Sequence, residues 1–102
     1  MHLVQILLPL YDNQQQAFPP EQYSEVRKEL TERFGGLTVY RRAPAEGVWK
    51  VNDNHTTRDD IAIFEVMAPE LDEQWWRKYR HDLEERFRQD LIVIRAQQTQ
   101  LL

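Results

Sequence analysis

Two short runs of the chain are apolar on both of their alternating sides, and they restrict its possible folds more than any other feature. The runs are Leu3 to Leu10 and Ile61 to Met67, and their main polar interruptions are Gln5 and Glu65. Successive side chains of a strand point to opposite faces, so a strand that is apolar on both sides is covered on both. The sequence therefore predicts a sheet in which these two runs are the inner strands.

The segments between and after these runs supply two helices and two further strands. Apolar side chains recur at spacings of three and four in residues 19–36 and again in residues 70–87, where Asp72 is the predicted N-cap. Residues 37–42 alternate between apolar and polar, which is typical of an edge strand, and residues 91–96 form the last predicted strand. Charges four positions apart on the helices are predicted to pair: Glu29 with Arg33, Glu73 with Arg77, Asp82 with Arg86, and Glu84 with Arg88.

The resulting order of elements is β-α-β-β-α-β, which is the split βαβ arrangement of a ferredoxin-like sandwich. We therefore predict an α+β fold with an antiparallel sheet in the order 4-1-3-2 and both helices on one face. In that order strands one and three are the inner ones, in agreement with their composition. A chain of 102 residues fits one such domain, 1–102.

Composition excludes several classes of function. The chain has no cysteine, so disulfides and thiolate chemistry are absent. Its net charge is −4 with both signs interspersed, which leaves no basic stripe for a nucleic-acid partner. The first apolar run is too short to span a membrane and lacks the flanks of a secretory signal, so we expect a cytoplasmic protein without a membrane partner. No phosphate-binding loop, nucleophile elbow or His-Glu-x-x-His motif occurs, so we predict no cofactor and no metal.

Both helices cover the same face of the predicted sheet, and the opposite face carries more large apolar side chains than a solvated surface should. Roughly six such side chains would make a patch of the several-hundred-Å² size that marks an interaction surface. We therefore expect a homodimer that packs sheet to sheet. The residues predicted to point to this face are Leu3, Gln5, Leu7, Thr38, Tyr40, Arg42, Ile61, Ile63, Glu65, Met67, Leu91, Val93 and Arg95.

Glu65 is the first candidate for chemistry, because it is a carboxylate at the centre of an apolar strand. Buried without a partner it would cost several kcal/mol, so it needs a donor such as Arg95, Tyr40 or Gln5. It is a general base or ligand anchor on one interpretation, and a structural or solvated carboxylate on the other. The predicted ligand-binding set adds two residues, Arg42 and Trp49, to these four: the full set is Gln5, Tyr40, Arg42, Trp49, Glu65 and Arg95.

The long connection 43–60 holds the remaining candidates. His55 lies among carboxylates and is a second catalytic candidate, although its surroundings match no known metal-ligand spacing. Trp49 either packs down on the sheet or lines a ligand pocket. Connections of this length are uncommon inside a compact domain and are often functional, so we consider that the segment folds over the open face.

Short motifs along the chain resemble a family of small bacterial proteins described only as a domain of unknown function. They are "GGLTV" directly after Phe34, a "G-x-W" at Gly47 to Trp49, and the closing "FRQDLIVIRA", which together with Arg86 before it begins "RFRQ". The resemblance implies no catalytic residues, since no activity is assigned to that family. In architecture alone the chain is also similar to the dimeric α/β-barrel proteins, which implies pairing through the sheet faces.

Three functions are compatible with these observations. The first is a homodimeric module that binds a small molecule at the open sheet face, near Glu65. The second is a cofactor-independent enzyme of the dimeric α/β-barrel kind, an oxygenase or isomerase, which would need Glu65 or His55 to reach a bound ligand. The third is a structural or partner-binding protein whose open face is filled by another chain, with no cavity.

Overall fold

The computed structural model describes residues 1–42 and 61–102, Arg42 through its backbone only. Four strands of these residues form one antiparallel sheet in the order β2-β3-β1-β4, which is the predicted order 4-1-3-2 viewed from the other edge. The ferredoxin-like α+β fold is therefore confirmed, with β1 and β3 inside. The elements are β1 (His2–Pro9), α1 (Pro20–Phe34), β2 (Thr38–Arg42), β3 (Ile61–Ala68), α2 (Glu73–Arg86) and β4 (Val93–Gln98).

The core lies between the two helices and one face of the sheet. Along β1 the side chains alternate between fully buried and half-buried, and β3 contributes Phe64 and Val66 to the same face. Each helix presents the stripe that its periodicity predicts, and burial of these apolar surfaces supplies the main driving force for folding. The largest fully buried side chains are Val4, Ile6, Leu8, Val26, Leu30, Phe64, Val66, Leu83, Phe87 and Ile92.

The last strand begins later than the sequence predicts. Ile92 is buried, and its backbone N–H donates a hydrogen bond to Glu84 Oε2 at 3.0 Å. Pairing with β1 starts only at Val93, opposite Leu7. The prediction that Leu91 belongs to the strand and to its open face is therefore wrong: Leu91 precedes the ladder and is 66% exposed.

The helix ends are set by the residues that the sequence indicates. Pro20 lies in the first turn of α1, where a proline removes no helical hydrogen bond. α2 starts at the predicted N-cap, because Asp72 Oδ1 accepts a hydrogen bond from the Trp75 backbone N–H at 3.1 Å. Among the described residues, neither helix is long and apolar enough to cross a membrane.

Gly35 ends α1 in the left-handed conformation, with φ of 79°, and its N–H donates to the Thr31 carbonyl at 2.8 Å. A Cβ there would meet no atom within 4 Å, so only the backbone conformation opposes a side chain. We expect Gly35→Ala to lower the free energy of unfolding by about 1 kcal/mol, measured by urea denaturation. Gly36→Ala is the control, because Gly36 lies outside the left-handed region and its Cβ position is equally open. Equal losses in the two variants would contradict this account.

Candidate functional site

Four polar side chains lie side by side across the face of the sheet that the helices do not cover. The strand registers place Glu65 opposite Thr38 on one side and opposite Gln5 on the other, and Gln5 opposite Arg95. We call this set the polar row: Thr38, Glu65, Gln5 and Arg95, in the spatial order β2-β3-β1-β4. It crosses the whole sheet.

Apolar side chains lie on both sides of the polar row. One neighbouring level holds Tyr40, Ile63, Leu7 and Val93, again one residue from each strand. The level on the other side pairs Leu3 with Met67 and with Gln97. Val93 is 43% exposed and Tyr40 41%, whereas Ile63 is buried. The open face, meaning these two levels with the polar row between them, is thus an apolar surface with a polar centre line.

A chain of hydrogen bonds connects the polar row. Arg95 Nε donates to Gln5 Oε1 at 2.8 Å, and Gln5 Nε2 donates to Glu65 Oε1 at 2.8 Å. The Tyr40 hydroxyl donates to the same Glu65 oxygen at 3.2 Å and accepts from Gln5 Nε2 at 3.1 Å. Because Arg95 occupies the amide oxygen of Gln5, the amide nitrogen must point to Glu65. Gln5 thereby links the Arg95 guanidinium on β4 to the Glu65 carboxylate on β3, and the bond from Arg95 fixes the orientation in which Gln5 donates to Glu65.

Tyr40 acts as a hydrogen-bond donor in this chain. Desolvation raises the pKa of its phenol, and the negative charge of Glu65 and their hydrogen bond raise it further. A phenol normally loses its proton near pH 10, so the Tyr40 hydroxyl keeps its proton at neutral pH. It is a fixed donor rather than a candidate base.

Glu65 retains capacity to bind another donor. A carboxylate has about four acceptor positions on its two oxygens, and both described hydrogen bonds go to Oε1. From the side chains that the structure describes, Oε2 receives no hydrogen bond. The arrangement offers a ligand a half-buried carboxylate oxygen, held in one orientation and surrounded by apolar groups.

The structure brings four of the predicted ligand-binding residues together: Gln5, Tyr40, Glu65 and Arg95. All three predicted neighbours of Glu65 belong to its network, Gln5 and Tyr40 directly and Arg95 through Gln5. Arg42 is the last residue of β2, opposite Ile61, so its backbone lies at an open-face position. Its side chain lies outside the described part of the chain, as do Trp49, His55 and the whole connection 43–60.

A second charged cluster joins the two helices, and its contact between the helices was not predicted. Arg86 donates to both carboxylate oxygens of Glu29, at 2.7 and 2.8 Å, and also contacts Asp82 at 2.7 Å. The Tyr79 hydroxyl donates to Glu29 at 3.0 Å. The hydrogen bonds from Arg86 lower the pKa of Glu29 despite its partial burial. This cluster holds α1 against α2, and each of its charged groups contacts an opposite charge within it, so it is a structural element.

The predicted helix pairs are correct in part. Asp82 with Arg86 and Glu73 with Arg77 are confirmed, the latter at 3.7 Å. Glu29 with Arg33 is wrong, because Glu29 binds Arg86 while Arg33 lies 3.8 Å from Asp72 and 4.1 Å from the Trp75 ring centroid. Glu84 with Arg88 is also wrong: Glu84 accepts from the Ile92 backbone, and Arg88 lies 3.7 Å from Asp12.

Metal-binding side chains are not clustered in the part of the chain that the structure describes. Within residues 1–42 and 61–102, no three His, Asp or Glu side chains are arranged to hold a metal ion.

Comparison of the chain with protein-family models, with curated proteins and with solved structures finds no match in any of the three, so the resemblance to the bacterial family stays a prediction.

Proposed function

We propose that the protein is a homodimer whose two open faces enclose a small molecule held against Glu65. The observation that carries this proposal is the hydrogen-bonded polar row between two apolar levels. The apolar levels support the dimer, and the polar row supports the ligand.

The apolar levels favour a second sheet as their cover. Val93 and Tyr40 expose more than two-fifths of their surface in the single chain, and Leu3, Leu7 and Met67 are partly buried beside them. Covering apolar surface contributes about 25 cal/mol per Å², so the two apolar levels are a favourable place for association. Two sheets pack face to face at a separation of about 10 Å, which lets their side chains interdigitate.

The polar row favours a bound ligand in that interface. A carboxylate enclosed between two apolar surfaces requires hydrogen bonds to remain charged, and Gln5 and Tyr40 supply two of them to one oxygen. The second oxygen then accepts a donor from the ligand. The site thus fits a small molecule with an apolar body and an amine or hydroxyl group.

Native mass spectrometry of the purified protein tests the dimer and the ligand together. We expect the mass of two chains plus an additional small mass that is lost on denaturation. Val93→Glu places a charge on the open face and is expected to raise the dimer Kd at least about tenfold, which corresponds to about 1.4 kcal/mol. Gln98→Glu is the control, since Gln98 is exposed on the same strand but on the helix side.

Glu65→Ala is expected to abolish the additional mass. A Glu65→Ala protein that keeps both its dimer and its ligand would overturn the proposed site. A monomer at micromolar concentration would overturn the dimer. A wild-type dimer without any additional mass would instead support the partner-binding alternative, and turnover of a bound molecule would support the enzyme alternative.

A further inference from the structure

We propose that Arg95 of the partner subunit completes the Glu65 site. In the dimer, the two-fold axis runs parallel to the strands over β1, so Glu65 of each copy faces the partner's Arg95. This inference rests on the proposed dimer and specifies its symmetry. Each dimer then contains two equivalent sites, made of Glu65 and Tyr40 from one copy and the partner's Arg95.

The starting point is the distribution of charge along the polar row. Glu65 and Arg95 occupy the strands on either side of β1, and Gln5 lies between them. Neighbouring strands are about 4.8 Å apart, so the two charges lie at equal distances on opposite sides of β1. The row therefore carries a negative charge on one side of Gln5 and a positive charge at the same distance on the other side.

A two-fold axis parallel to the strands reverses the order of strands in the facing sheet. When that axis lies over β1, β1 faces its own copy and β3 faces β4 of the partner. Glu65 then meets the partner's Arg95, the same contact occurs a second time by symmetry, and Gln5 meets the partner's Gln5. Both charges of each chain are neutralised across the interface.

Other two-fold axes leave the charges unpaired or opposed. An axis over β3 places Glu65 against its own copy. An axis midway between β3 and β1 places Glu65 against Gln5 and Arg95 against Thr38, without an opposite charge for either. An axis along the polar row itself faces every residue with its own copy, carboxylate against carboxylate and guanidinium against guanidinium. Enclosing charges in these ways costs free energy that the axis over β1 avoids.

The neighbouring apolar level is compatible with the same axis. β3 facing β4 places Val93 at the level of the partner's Ile63, which is already buried in the single chain, and Leu7 against the partner's Leu7. This covers Val93, which is among the most exposed large apolar side chains of the described strands. The axis over β1 thus matches the apolar level with the partner's apolar level as well as the polar row with the partner's polar row.

Charge reversal at the two positions tests the inference. The variant Glu65→Arg carries two positive charges on the row, and Arg95→Glu carries two negative ones. With the axis over β1, each homodimer would have like charges in contact at both sites, so we expect its Kd to rise at least about tenfold. The double variant Glu65→Arg/Arg95→Glu restores opposite charges and is expected to return to within about tenfold of the wild-type Kd.

Mixing the two single variants distinguishes contacts between chains from contacts within a chain. Mixing leaves the like charges within each variant chain unchanged, but it places opposite charges against each other at both sites between the chains. We expect an equimolar mixture to form heterodimers in native mass spectra, where the two chains differ in mass. Glu32→Arg and Lys78→Glu make the same charge changes on exposed helix positions and are expected to leave the Kd unchanged.

The outcomes separate this inference from the proposed function. If the wild type is a dimer and both single variants keep its Kd, the axis over β1 is wrong while the dimer stands. The same holds if the single variants dissociate and the mixture does not associate. If the wild type is a monomer, the proposed dimer fails and this inference with it. If circular dichroism shows that a charge-reversed chain does not fold, neutral variants replace it: Glu65→Gln in one chain of a heterodimer and Arg95→Gln in the other. If the effects of these two substitutions on Kd are coupled, they support the contact. If the effects are independent, they overturn it.

Discussion

Replacing Phe64 with alanine is expected to lower the free energy of unfolding by about 3–5 kcal/mol, the range for removal of a fully buried aromatic side chain. Phe64 is 1% exposed and points from the inner strand β3 into the core. The centroid of the Tyr23 ring lies 6.3 Å from that of the Phe64 ring, and the guanidinium carbon of Arg27 lies 6.0 Å from the Phe64 centroid. Alanine would remove these contacts and leave a cavity. β3 cannot move to fill it, because it is hydrogen-bonded to β1 on one side and to β2 on the other.

Urea denaturation at a single protein concentration measures this loss, because the proposed dimer would make apparent stability depend on concentration. Phe64→Leu is the matched control: it keeps most of the apolar volume and is expected to cost about 1–2 kcal/mol. A loss below about 1 kcal/mol for alanine would show that the core can close around the missing ring, contrary to the packing described.

The second large effect is expected from Arg86→Met, which removes the guanidinium between the helices and keeps an apolar side chain. We expect a loss of about 1–3 kcal/mol at neutral pH, because two charge-assisted hydrogen bonds to Glu29 and two to Asp82 disappear. Of the donors that the structure describes for Glu29, the Tyr79 hydroxyl then remains. The control is Arg77→Met, whose partner Glu73 is exposed, as is Arg77 itself. An exposed pair of this kind contributes less than about 1 kcal/mol.

The loss in Arg86→Met should also depend on pH. Arg86 holds the pKa of Glu29 below its ordinary value of 4.5 in the folded protein. Such a group stabilises the fold above its unfolded pKa, and this contribution disappears as pH falls through its folded pKa. The difference between wild type and Arg86→Met is therefore full at pH 7 and shrinks below about pH 4.5. Unfolding curves at pH 7 and pH 3 with an unchanged difference would contradict the assignment.

The strand order and the contents of the open face could be predicted from the sequence because they depend on alternation. A run that is apolar on both sides must be an inner strand, and alternation then assigns Gln5, Glu65 and Arg95 to one face. Alternation does not assign levels along the strands. That Gln5 bridges Arg95 and Glu65 follows from the pairing registers, which the sequence pattern does not determine.

The contact between the helices could not be predicted for a different reason. A helix pair at i,i+4 contributes about 0.2–0.5 kcal/mol, so a bidentate contact from another element easily replaces it. Glu29 therefore binds Arg86, which is 57 residues away in sequence, instead of Arg33. The late start of β4 has a similar origin, because the Glu84 carboxylate takes the Ile92 N–H before the ladder begins.

The strand order also has a consequence for synthesis of the protein on the ribosome. β1 is hydrogen-bonded to β3 and β4, and β2 to β3, so the two strands of the first half of the chain are not neighbours. A nascent chain that has released only β1, α1 and β2 can form none of the described strand ladders. Its first strand, apolar on both sides, therefore has no strand partner until residues 61–68 have also left the ribosome, and unpaired apolar strands of this kind are prone to aggregation.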